Sequence, residues 1–172
     1  MIRVVTDEAL RQEIAGWRCL LKNHANPEQV RVVAGDEVRV VVGAETVRTC
    51  LAATLRRLTE EGGSHNYVIL EVNDEKNYYV QFGTSCGSAV VYGEAVSERY
   101  VLAPLSPAQR ASLHGFGWRR PTVRKFPNYF HLWTVLNDTH REAIANFALD
   151  TLEQVYGWQR DASVKIKTHL DW

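Results

Sequence analysis

No stretch of the 172 residues is long and apolar enough to cross a bilayer, and the start, MIRVVTDEALRQEI, lacks the apolar core of a secretory signal. Cysteine is scarce. Cys19, Cys50 and Cys86 are an odd number with no close pairing, which disfavours a disulfide framework and leads us to expect reduced thiols in a cytoplasmic protein. There is no C-x-x-C. The six histidines, His24, His65, His114, His131, His140 and His169, never pair with His or Cys at zinc-site spacing, so neither a metal nor a cofactor is expected. Charge of one sign is also missing. Twenty Lys and Arg balance twenty Asp and Glu, without the basic excess of a dedicated nucleic-acid binder. A formal net charge of zero weakens repulsion between copies, so self-association, as a homodimer, is a plausible expectation.

What is present is the composition of a globular domain, 45% hydrophobic and 23% charged. A chain of this length buries roughly two-thirds of its unfolded surface without help from disulfides or metal. Thr6 as cap and the stripe Leu10, Ile14, Trp17, Leu21 predict a first helix, ended by Asn26-Pro27. VRVVAGDEVRVVV reads as a hairpin turning at Gly35-Asp36. A second helix carries Val47, Leu51, Leu55 and Leu58 and stops at Gly62-Gly63. Strands are predicted at Tyr67–Val72, Tyr78–Phe82 and Val90–Val96, joined by the polar NDEKN and the glycine- and serine-rich GTSCGS as an antiparallel meander. Ser106-Pro107 opens a short helix that closes near Gly115-Phe116-Gly117. A loop with two prolines then leads into a strand around Tyr129–Val135. The last helix has a capping box of Thr139 with Glu142 and the stripe Ile144, Phe147, Ala148, Leu152, Val155. The tail ASVKIKTHLDW alternates and is expected as an edge strand. The fold class is α+β: one antiparallel sheet with helices on one face. Residues 1–43 form an N-terminal helix and hairpin extension, 44–160 the main domain, and 161–172 the tail.

Alternation along the strands singles out a surface. Side chains change face with period two. One face takes Val68, Leu70, Val80, Phe82, Gly93 and Ala95, with small Gly93 and Ala95 letting a helix approach. The other takes Tyr67, Ile69, Tyr79, Gln81, Tyr92, Glu94 and Val96, amphipathic like the core of a protein interface. Two readings of that outer face stay open. The N-terminal extension covers it as a second core layer, or another protein does. Trp118 and Tyr129, aromatics beside Arg119, Arg120, Arg124 and Lys125, are further candidate partner contacts, since Arg and aromatics are enriched at interfaces.

YYVQFG, GEAVSERYVL, LSPAQRASLHGFGW and PNY, ahead of a closing amphipathic helix, resemble the TY-Chap domain, which links YbjN-like bacterial proteins with type III secretion chaperones. The resemblance covers about Ala44 to Trp158. It implies a secretion-chaperone-like fold in a bacterial protein, and a binding role towards a protein client or a second subunit, without catalysis. The sequence departs from the pattern at Glu98 and at Phe116-Gly117. Two other classes remain as alternatives. One is nucleic-acid binding through the Arg119–Lys125 loop, with arginines and aromatics stacking on a single strand. The other is an enzyme using the Cys86 loop, which needs a base such as histidine beside the thiol, a placement that sequence alone does not show.

Overall fold

The computed structural model describes residues 36–61, 63–122 and 126–171. The expected first helix and the first half of the expected hairpin lie outside them. Within them the order is β1 (Asp36–Val42), α1 (Ala44–Glu60), β2 (Asn66–Asn73), β3 (Tyr78–Thr84), β4 (Val90–Ala95), α2 (Pro107–Gly115), β5 (Tyr129–Thr134), α3 (Asp138–Gln154) and β6 (Ser163–His169). All strands join one antiparallel sheet in the order β1-β6-β2-β3-β4-β5. The α+β class and the placing of the helices on one face are as the sequence predicts.

The tail is not an edge strand. β6 is flanked on both sides, by β1 and by β2. The reason is visible in its alternation: Val164, Ile166 and Thr168 turn to the helices and are buried, so the strand has a core face to satisfy. β1 in turn pairs with β6 along its whole length and takes the edge position.

α1 forms because Val47, Leu51, Leu55 and Leu58 recur every three or four residues, and all four are fully buried. Its C-terminal end is closed by the first residue of β2. The buried amide of Asn66 donates to the carbonyls of Leu58 and Glu61 at 2.8 Å each, while its oxygen accepts from the Asp171 backbone at 2.9 Å. These are the orphan carbonyls that a helix end must satisfy. α2 starts with the expected Ser106 cap and Pro107 in the first turn, and Gln109 closes a capping box with Ser106 that the sequence reading did not name. The cap of α3 lies two residues before the expected one. Asn137, rather than Thr139, accepts from the His140 backbone at 3.1 Å, and asparagine is at least as good a cap as threonine.

The helix side of the sheet is an aromatic layer. Trp118, Trp133, His131 and Phe147 pack together, with His131 and Trp133 stacked at 4.2 Å and the Trp118 Nε1 donating to Thr151 Oγ1 at 3.1 Å. Gly93 is small for this reason. A Cβ there would lie inside contact distance of the Trp133 indole. The space expected for a helix is filled by a ring from the neighbouring strand.

Candidate functional site

The register fixes which side chains share the other side of the sheet. Ile69 is opposite Gln81, Gln81 opposite Glu94, and Glu94 opposite Phe130. Glu71 is opposite Tyr79, and Tyr92 is opposite Gly83 and Leu132. Because opposed residues of an antiparallel pair project to the same face, Tyr67, Ile69, Tyr79, Gln81, Tyr92 and Glu94 form one surface. It is the surface away from the Trp133 and Phe147 layer that α3 covers. Six of the eight predicted contact residues are therefore brought together.

The remaining two are not. Trp118 is 1% exposed and sits in the helix-side aromatic layer. Tyr129 is opposite Ala95, on the helix side of β5. Alternation could not assign Trp118, which lies outside any strand. Tyr129 opens β5 where the sequence predicts the strand, but the faces of that strand were not assigned.

The six side chains of the outer face are themselves buried, between 2 and 8% exposed. At their centre is a carboxylate. Glu94 Oε2 accepts from Gln81 Nε2 at 2.5 Å and from Asn128 Nδ2 at 3.0 Å, and Glu94 Oε1 accepts from the Tyr92 hydroxyl. Asn128 also reaches the Tyr79 hydroxyl at 3.3 Å, and its own oxygen accepts from the Ser97 backbone at 3.0 Å. No ion pair neutralises Glu94 among the described residues. A buried charge is tolerable only when its lone pairs are filled, and here three neutral donors fill them. Burial pushes the Tyr79 phenol well above the usual tyrosine range. The Glu94 charge pushes it further, against the pull of Asn128.

Apolar side chains extend the surface in both directions. Phe130 and Phe126 stack at 4.0 Å beside Tyr92. At the opposite edge Val38, Val40 and Val42 point out from β1 and are exposed. Between these lie Lys165 and Lys167, held by Glu71 and Asp74 at 2.6 to 3.5 Å. Sequence reading missed Phe130 and gave Asn128 no role. The alternation of β5 carries the first. Nothing local carries the second, because its partners are 31 to 49 residues away.

The two other candidate sites are placed as follows. Cys86 is an exposed free thiol in the turn between β3 and β4, its backbone N–H bonded to the Gly63 carbonyl, and among the described residues no hydrogen bond joins it to a histidine. In the arginine-rich segment, Arg119 pairs its backbone with Phe130 and lies over that ring. The buried Trp118 beside it is not available for stacking on a base. Among the described residues no cluster of His, Cys, Asp or Glu could hold a metal ion, and no helix is long and apolar enough to cross a membrane.

No curated protein and no solved structure matches the chain. A family model does, over residues 45–169, well over half the chain and spanning every described element except β1. Its description is TY-Chap3, T3SS (YopN, CesT) and YbjN peptide-binding chaperone 3. The chain belongs to this family of peptide-binding chaperones.

Proposed function

We propose that the protein is a non-enzymatic, peptide-binding chaperone, and that the outer face of its sheet receives the client. One observation carries the reading: across β2 to β5 the side of the sheet away from the helices is apolar and aromatic, with a satisfied carboxylate at its centre. Such a surface must be covered by polypeptide to keep its side chains from water. An extended client would displace what now keeps Tyr67, Ile69, Tyr79 and Tyr92 at 8% exposure or less and lay alternate side chains among them, while the Glu94 network fixes the ring positions. The exposed valines of β1 supply a free margin where a client begins to dock. The mechanism is burial and release, with no bond made or broken.

A second reading has support from the burial of the same six residues. The occupant is then the chain's own N-terminal segment, whose expected stripe of Leu10, Ile14, Trp17 and Leu21 suits an apolar sheet face. Removal of residues 1–34 separates the two. If a client alone uses the face, the truncated protein binds a reduced and alkylated unfolded protein as the full chain does. If the segment occupies the face, truncation raises the affinity for that client or leads to dimerisation, seen by light scattering.

A further inference from the structure

A cleft of about 810 Å³ opens between α2 and the start of β5, lined among others by Pro107, Arg110, Ala111, His114, Arg120 and Tyr129. It lies on the helix side of the sheet and plays no part in the outer-face network. Arg110 and His114 are four residues apart on α2, so their side chains share one face of the helix. Arg110 commits only its Nη1, to the Leu105 carbonyl at 2.6 Å and to Glu98 Oε1 at 3.5 Å. Its Nε and Nη2 have no partner among the described residues. Arg120 makes no hydrogen bond or ion pair there at all, and it is exposed.

Two guanidinium groups on one cleft, with Glu98 offsetting only the first, leave an unmatched positive charge against a wall of proline, alanine and tyrosine. Guanidinium is always charged, and its forked donors match the paired oxygens of a carboxylate or a phosphoryl group. The Tyr129 ring registers the same field: burial and Glu98 raise its phenol, and Arg110 and Arg120 both pull it back. The cleft is also close to the outer face. Tyr129 follows Asn128, the residue that holds Glu94, and successive Cα atoms are only about 3.8 Å apart. A chain that rounds the start of β5 passes from one site to the other.

We propose that the cleft between α2 and β5 binds an oxyanion-bearing side chain of a peptide, with Arg120 and the free edge of Arg110 receiving the carboxylate or phosphoryl oxygens. The peptide as carrier rests on the function proposed above; the oxyanion site rests on the cleft alone. RNA is the competing polyanion, and the buried Trp118 disfavours it by removing the ring on which a base would stack.

The test uses the full chain and fluorescence anisotropy. Three labelled peptides share one apolar sequence of about a dozen residues and carry glutamate, phosphoserine or glutamine at the centre; an oligouridylate is the fourth probe. The glutamate and phosphoserine peptides are expected to bind roughly three- to tenfold tighter than the glutamine peptide. Arg120→Gln removes that preference, Arg120→Lys restores part of it, and neither changes the melting temperature. Comparison of the two acidic peptides identifies the source of the oxyanion. Equal affinity for all three peptides, or a preference that survives Arg120→Gln, overturns the cleft assignment and leaves peptide binding standing. Tighter, Arg120-dependent binding of oligouridylate overturns the peptide carrier. So does failure of every peptide to bind while inorganic phosphate still shifts the His114 ring signals in the wild type but not in Arg120→Gln; that result upholds the oxyanion site.

Discussion

Gln81 and Glu94 face each other across β3 and β4, and the amide of the first donates to the carboxylate of the second at 2.5 Å, with both side chains almost wholly out of water. A glutamine inside an apolar strand is therefore part of a polar centre shared by two strands and a turn. Removal of the acceptor strands three donors. Glu94→Ala is expected to cost about 2–4 kcal/mol, as unpaired buried groups do. Glu94→Gln keeps one oxygen but turns an amide towards other donors, for about 1–2 kcal/mol. Urea denaturation measures both, and a cost below 0.5 kcal/mol for Glu94→Ala would contradict the network.

Gly93 lies so close against Trp133 that a Cβ would overlap the ring. Gly93→Ala drives a methyl into the indole and is expected to destabilise by about 1–3 kcal/mol. The cause is checked by a double-mutant cycle with Trp133→Leu. Once the ring is gone the closest clash goes and only Phe82 still crowds the methyl, at 3.0 Å, so a coupling of about 1 kcal/mol or more in favour of the double variant is expected. Simple additivity would place the strain elsewhere.

Two tyrosines set the alkaline limit. Burial holds the Tyr79 phenol above its ordinary range, and it does the same to Tyr156, where the hydroxyl donates to the Val96 carbonyl at 2.9 Å. For an acid whose folded pKa is raised, the native state keeps a proton that the unfolded chain has released. Stability is therefore full below about pH 10 and falls as pH rises beyond it. Each tyrosine adds a slope approaching 1.4 kcal/mol per pH unit, by general linkage. Denaturation from pH 9 to 11 reads the fall, and Tyr79→Phe should remove about half of it. A flat profile would show that neither phenol is protected.

Much of this was legible because it is periodic. The stripe of α1, the Ser106-Pro107 start of α2 and the faces of β2, β3 and β4 follow from residue spacing within one element. The rest depends on partners distant in sequence. The position of β6 between β1 and β2 is decided by which strand its buried face meets. Asn66 closes α1 through Leu58 and Glu61 while it holds the chain at Asp171, and no pattern in its neighbourhood marks it. Trp118, expected at an interface, was drawn inward by Thr151, Phe147 and Trp133. The outer face was readable as a set of residues. That its residues are buried was not, because alternation tells which side a residue faces and says nothing of what lies against it.

The central claim is that a client occupies the outer face. Isoleucine methyl spectra of the full chain test it most directly, because Ile69 lies on that face while Ile144 and Ile166 lie in the helix-side core. On titration with a reduced and alkylated unfolded protein, the Ile69 signal should shift or broaden and those of Ile144 and Ile166 should stay in place. Binding that moves Ile144 or Ile166 and leaves Ile69 untouched would contradict the account.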